Sequence, residues 1–245
     1  RPMLNRRKDE FPRIMGVVNV TPDSFHLDSR STSTNQAIAN AARMAAEGAE
    51  WIDVGGESTR PGAKPVSVED ELSRVVTAIE GIRKELPNVC ISIDTRRAEV
   101  ASHALESGAD MVNDVSSLSD PRMLDVIVEH GCPICLMHMQ GLPENMQNDP
   151  QYGDVVDEVR GYLAVATRKL VEEGVSPSLI VADPGIGFGK KLEHNLALLS
   201  SGRKIVPDNR MGLMWGVSRK SMFRDLLGRE SSGERLAGSL GVAAM

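Results

Sequence analysis

The sequence lacks an excess of positive charge. Its 28 Lys and Arg stand against 34 Asp and Glu, a formal net charge of −6. That excludes a surface built to grip a polyanion such as nucleic acid, which needs basic residues gathered on one face. Any anion site must therefore be local. Apolar runs approaching 18 residues are absent, so no transmembrane helix is expected, and "RPMLNRRKDE" carries no signal-peptide pattern. Cysteine is scarce, with Cys90, Cys132 and Cys135 an odd set suited to a reducing compartment, and a cytoplasmic protein is expected. "CPIC" has the spacing of a redox or metal pair, but it lies in "CPICLMHM", which reads as a strand where positions three apart face opposite ways. Buried packing is the expected role of these thiols. His26, His103, His130 and His194 have no i, i+4 partner, which excludes the usual zinc spacing. No nucleophile elbow or Ser-His-Asp order is present, so nothing in the chain sponsors a covalent intermediate.

What is present is a strict alternation. Short apolar runs at 13–20, 51–56, 90–95, 111–115, 132–139, 179–185 and 211–218 are separated by amphipathic stretches, several of which end in Gly. Seven strands alternating with helices predict a parallel sheet, and strands apolar throughout with polar tips predict a (β/α)8 barrel bearing its chemistry at the strand carboxyl ends. The whole chain, 1–245, is expected to form one such domain. An eighth strand is not evident, so either the barrel is left open or the 245 residues stop short of it. "TPDSFHLDSRSTST" and the segment after Gly56 exceed the usual βα loop length and read as candidate lids.

The strand tips offer Asn19, Asp53, Asp94, Asn113, Asp114, His138, Asp183, Ser218, Arg219 and Lys220. Carboxylates and amides around one mouth suit a flat heterocycle with several N–H donors, since each donor needs an acceptor once water is excluded. Taken singly, each residue is as readily a cap for the helix that follows. Arg60, Lys64, Arg219 and Lys220, with Ser58, Thr59, Ser218 and Ser221, form a local anion receptor for phosphate, diphosphate or carboxylate. "DPGIGFGKK" matches neither phosphate-binding glycine pattern. Its glycines imply backbone passing close to a bound ring or an irregular turn, with Phe188 as an apolar wall. A hard cation such as Mg2+ leaves little sequence trace because it binds through one or two protein oxygens plus substrate phosphate, and Asn19 is the expected protein ligand. A ring site beside a diphosphate site suggests loss of diphosphate from carbon and attack by a second substrate.

"MGVVNVTPDSF" (15–25), "DVGGESTRPGA" (53–63), "SIDT" (92–95), "NDV" (113–115), "LMHMQG" (136–141), "DPGIGFGK" (183–190) and "GVSRKS" (216–221) together resemble the dihydropteroate synthase family, in family order and over residues 13–245. The resemblance implies a (β/α)8 barrel, usually a homodimer, that joins 4-aminobenzoate to the methyl carbon of 7,8-dihydropterin-6-ylmethyl diphosphate in folate biosynthesis and is inhibited by sulfonamides. It implies that Asp94, Asn113, Asp183 and Lys220 hold the pterin and that Asn19 meets Mg2+ on the diphosphate. By the same resemblance Ser58, Thr59 and Arg60 grip the anion, while Pro61, Phe25, Phe188, Lys220 and Ser221 shape the aminobenzoate site. The implied mechanism is dissociative, with Asp94, Asp183, Lys220 and Arg60 as its catalytic residues. Two departures stand out: no Arg-x-His pair of a last strand occurs before Met245, and "HLDSRSTST" replaces the Ser-Asp-Gly-Gly that often follows "DSF". The alternatives are a methyltetrahydrofolate-dependent methyltransferase barrel and a catalytically inactive pterin-binding homologue serving as a dimerisation partner.

Overall fold

The computed structural model describes residues 12–20, 28–57, 66–141, 146 and 148–244, with the side chains of 28–32 excepted. Each apolar run becomes a strand: β1 (Met15–Asn19), β2 (Trp51–Gly55), β3 (Cys90–Asp94), β4 (Met111–Asp114), β5 (Ile134–Met137), β6 (Ile180–Asp183) and β7 (Gly212–Leu213). Neighbours in sequence pair in parallel, giving the sheet order β1-β2-β3-β4-β5-β6-β7. Helices follow the strands: α1 (Asp28–Ala46), α2 (Val68–Glu85), α3 (Ala98–Glu106), α4 (Arg122–His130), α5 (Val155–Glu172), α6 (Leu192–Ser201), α7 (Met222–Leu227) and α8 (Leu236–Ala243). This is the (β/α)8-barrel plan with seven of its strands among the described residues, and β1 and β7 do not pair with each other there.

The pleat sorts side chains into two cores. Outward positions Ile52, Val54, Ile91, Ile93, Val112, Ile134 and Leu136 pack under the helices against Val75, Ile79, Ile82, Val100, Ile127, Val159 and Leu163. Inward positions Trp51, Met111, Cys135 and Val181 form a smaller cluster inside the sheet, flanked by Met15, Cys90 and Met214. Cys132 belongs to the first cluster and Cys135 to the second, so the two thiols do face opposite ways, and neither is in a disulfide. Val17 lies level with Asp53 in the inward register yet is 53% exposed, whereas Val18 on the outward face is 3% exposed. Among the described residues, nothing covers the inner face of the sheet beside β1.

Local chemistry fixes the helix starts. The Ser67 hydroxyl accepts from Asp70 N at the head of α2, and the Asp154 carboxylate accepts from Val156 N and Asp157 N at the head of α5. Two sequence expectations change. "DSRSTST", read as part of a long loop, forms the opening turns of α1, and "LEHNLALLSS", which the periodicity does not single out, forms α6. The seventh strand shrinks to two residues, and the segment from Met214 onward leads to Lys220 without regular structure.

Candidate active site

Parallel pairing brings the strand tips level. Asn19 aligns with Gly55, Gly55 with Asp94, and Asp94 with Asn113, so four consecutive strands present these residues at one end of the sheet. A Cβ on Gly55 would lie 3.5 Å from Asp94 Oδ2 and 3.7 Å from Asn19 Oδ1, so the bare glycine leaves a cradle between those two oxygens. One inward step lower on β2, Asp53 Oδ2 accepts from Asn113 Nδ2 at 3.1 Å. Burial pushes the Asp53 carboxyl up to about 6 against the pull of the nearby Ser92 hydroxyl and the Asn113 amide, with Asp183 adding like-charge repulsion. Burial first, then repulsion from Asp53 and Glu71, holds Asp94 well above the ordinary carboxylate range.

Asp183 ends β6 and is 7% exposed. Its Oδ1 accepts from Gly185 N at 2.8 Å, leaving Oδ2 free of that turn. Burial raises its carboxyl, with the Gly185 N–H and Lys220 pulling the other way. Lys220 is half-buried, and its Nζ sits 4.1 Å from the centroid of the half-buried Phe188 ring, a cation–π contact. A Cβ on Gly187 would press on Lys220 Cδ at 3.3 Å, so the stem of that lysine runs over the glycine. Asp94, Asn113, Asp183, Phe188 and Lys220 thus converge, with Asp53 beneath them and Asn19 at the edge.

The "DPGIGFGK" loop is held from within. Gly185 has φ +67, and a Cβ there would fall 2.0 Å from His138 O, so only glycine fits. The close approach foreseen for this glycine is made to the backbone after β5, and this packing accounts for it. Lys190, 4% exposed, reaches His138 Nδ1 (2.9 Å), His138 O (3.2 Å), Gly185 O (3.0 Å) and Phe188 O (2.9 Å). Burial brings this ammonium down to about 7, while burial and the Lys190 charge bring His138 down to about 3. His138 is therefore neutral, with Nδ1 accepting from Lys190. Sequence reasoning gave Lys190 no role and His138 only a place among the strand tips. The one available signal was a lysine closing a glycine run, which elsewhere would be solvated.

The remaining candidates have other surroundings or lie outside the described residues. Asp114 faces outward and accepts from Ser116 N, Ser116 Oγ and Leu118 N, so it caps the turn after β4. Ser218 and Arg219 are exposed, and Arg219 adopts φ 52 with its N–H donated to Ser239 Oγ at 2.7 Å. Ser221, next to Lys220 in the chain, is exposed and borders a crevice of about 430 Å³ with Lys190, Lys191, Asn195 and Asp225. Phe25, Ser58, Thr59, Arg60, Pro61 and Lys64 lie outside the described residues. Glu57 and Val66, which flank five of them, are joined by Val66 N donating to Glu57 Oε2 at 3.0 Å, and Arg97 bonds both Glu57 Oε2 and Val66 O.

The donor set fits a hard cation. No group of three His, Cys, Asp or Glu suited to a metal occurs among the described residues, but Asn19 Oδ1 and Asp94 Oδ2 face each other across the Gly55 cradle. One or two such oxygens suffice when waters and substrate phosphate complete the shell.

The family profile described as "Pterin binding enzyme" matches residues 15–245. The dihydropteroate synthase of Escherichia coli (strain K12) is 45% identical over 234 residues, 96% of this chain and 82% of the relative. Xanthomonas albilineans dihydropteroate synthase, solved with 4-aminobenzoic acid, superposes with a TM-score of 0.86 at 39% identity over 95% of this chain and 82% of that one. Yersinia pestis dihydropteroate synthase, solved as a sulfonamide drug complex, gives 0.87 at 40% identity over 96% and 85%. These likenesses favour the synthase reading over the methyltransferase and inactive-homologue readings. By profile, identity and fold together, the chain belongs to the pterin-binding enzymes and, among them, to the dihydropteroate synthases.

Proposed function

We propose that the chain joins 4-aminobenzoate to 7,8-dihydropterin-6-ylmethyl diphosphate, releasing diphosphate and 7,8-dihydropteroate. The observation that carries this reading is the convergence of Asp94, Asn113 and Asp183 beside a Lys220 seated on Phe188, with no activated nucleophile beside them among the described residues. Asp183 Oδ2 and Asn113 accept ring N–H groups, Asp94 bounds the ring edge nearest Asn19, and Lys220 donates to ring acceptor atoms. The C–O bond to diphosphate breaks with its electron pair leaving on the diphosphate. The aromatic amine then bonds to that carbon and gives up a proton. Asp94 and Asp183 stabilise the electron-poor ring by charge, a fixed arrangement that needs no reorganisation during the step. Asn19 and Asp94 would hold Mg2+, which when bound offsets charge on the leaving diphosphate.

Ser58, Thr59 and Arg60 belong to this reading as anion contacts, and Pro61, Phe25, Phe188 and Ser221 as the aminobenzoate surround. A homodimer also belongs to it, supported by Leu226, Leu227, Leu236 and Leu240 lying exposed on α7 and α8, and sedimentation velocity tests that part. Titration calorimetry with the pterin diphosphate, with and without Mg2+, followed by addition of 4-aminobenzoate and assay of released diphosphate, tests the whole. Binding followed by turnover supports the reading, and binding without turnover marks an inactive homologue. Asp183→Ala is expected to lose turnover chiefly through lost pterin affinity, and an unchanged affinity in that variant contradicts its assignment.

A further inference from the structure

Asp53 is buried, lies below the ring acceptors and has no part in the mechanism above. Its side chain is 4% exposed, and Asn113, 7% exposed, donates to it through Nδ2 at 3.1 Å. Two atoms of this pair are buried without a protein partner: Asp53 Oδ1 and Asn113 Oδ1. An ionised carboxylate only accepts, so the Asn113 amide has one permitted orientation. Flipped, its carbonyl oxygen would stand about 3 Å from a carboxylate oxygen, two acceptors face to face and too close for a water to lie between them. Held as it is, Asn113 leaves Oδ1 as the atom still to be satisfied, and an N–H of a bound ring satisfies it.

A half-satisfied buried carboxylate is a poor structural device. It costs desolvation and returns one full hydrogen bond plus the weaker pull of a Ser92 hydroxyl that is near but makes no full bond to it, and an uncharged side chain would fill the space at lower cost. What the carboxylate alone supplies is a fixed sense for the amide above it. Ser92, beside Asp53, does not substitute for it, because a hydroxyl both donates and accepts and so leaves the amide free to flip.

We propose that Asp53 is the positioning residue that sets the polarity of Asn113, so that the floor of the ring site presents an acceptor and selects a heterocycle with an N–H donor at that edge. This rests on the pterin reading of the site, and it assigns Asp53 no contact with the reacting carbon. Because the effect runs through Asn113, removing Asn113 abolishes it.

The test is a double-mutant cycle read by calorimetry with the pterin diphosphate, using wild type, Asp53→Asn, Asn113→Ala and the double variant. Asp53→Asn keeps shape and volume but offers Asn113 either an oxygen or a nitrogen. It is expected to weaken ring affinity about 10- to 100-fold, the scale of one buried hydrogen bond turned against its partner. In the Asn113→Ala background the same change is expected to alter affinity by less than about 3-fold. The KM for 4-aminobenzoate, measured at saturating pterin diphosphate, is expected to move by less than about 3-fold in Asp53→Asn. Full additivity of the two losses, an unchanged affinity in Asp53→Asn, or an equal rise in both substrates' KM each overturns the proposal. If wild type does not bind the pterin diphosphate, it is the reading of the site that fails.

Discussion

At the scale of single residues, the site places carboxylates where the unliganded protein has little means to satisfy them. The Asp53 carboxyl sits at about 6 in the fold, against roughly 4 for a free aspartate. Between those values the folded state holds more protons than the unfolded one, so stability falls as pH rises through that window. At about 1.4 kcal/mol per unit, Asp53 contributes on the order of 2–3 kcal/mol of destabilisation at neutral pH that is absent below about pH 4. Asp53→Asn is therefore expected to be more stable than wild type at about pH 7.5 and to lose that advantage near pH 4, in denaturant unfolding at both pH values. Equal stability of the two proteins at the higher pH contradicts it. Asp94 and Asp183 are raised by the same cause, so the site as a whole exchanges stability for binding.

Adjacent strand-tip residues show what was legible. Asn113 and Asp114 read alike in sequence, as acceptor or cap, and the pleat gives each a different fate: Asn113 inward, Asp114 outward as a cap. Alternation predicts that they differ but not which faces the pocket, because that depends on which side the helices cover. Lys190 was illegible for a related reason. Nothing local marks a lysine for burial when three carbonyls and a histidine nitrogen arrive from Gly185, Phe188 and the far side of β5.

At the scale of elements, the loop between β6 and α6 is the most constrained connection. Lys190→Met strands the three carbonyls and His138 Nδ1, and is expected to destabilise by about 2–4 kcal/mol in chemical denaturation. Gly185→Ala combines a left-handed backbone with a contact no Cβ tolerates, and a loss above about 3 kcal/mol is expected, with pterin affinity lost through displacement of Asp183. A near-neutral effect of either change would mean that the loop is not anchored as described. The strands were legible because parallel strands buried on both faces read as continuous apolar runs. The start of α1 was not, since Ser, Thr and Asp favour caps and turns, and packing of Ala37 and Ala41 on the sheet carries that helix instead of propensity.

At the scale of the whole molecule, the two cores have unequal weight. The outer core under the helices includes Ile52, Ile79, Ile91, Ile93, Ile127, Ile134 and Leu136 fully enclosed, whereas among the described residues the inner face rests on a small cluster around Trp51, Met111, Cys135 and Val181. Val18→Lys, which puts a charge into the enclosed outer core, is accordingly expected to unfold the protein, as read by circular dichroism melts. A variant that melts like wild type would mean that the outer core does not enclose Val18 as described. The order of the strands and the end of the sheet that carries the chemistry were both plain in the sequence, because polar residues close each apolar run on the same side. The closure of the barrel was not, since it depends on a strand that the periodicity does not supply.

The reading of the site stands on strand tips that gather acceptors for a bicyclic ring beside Lys220, with Asn19 at the edge where its leaving group departs. A crystal structure of the protein with 7,8-dihydropterin-6-ylmethyl diphosphate is its sharpest test. Ring N–H groups are expected within hydrogen-bond distance of Asp183 Oδ2 and Asn113 Oδ1, with the diphosphate directed toward Asn19. A ring bound away from Asp94, Asn113, Asp183 and Lys220, or lying in the crevice beside Ser221 with those four still empty, contradicts it.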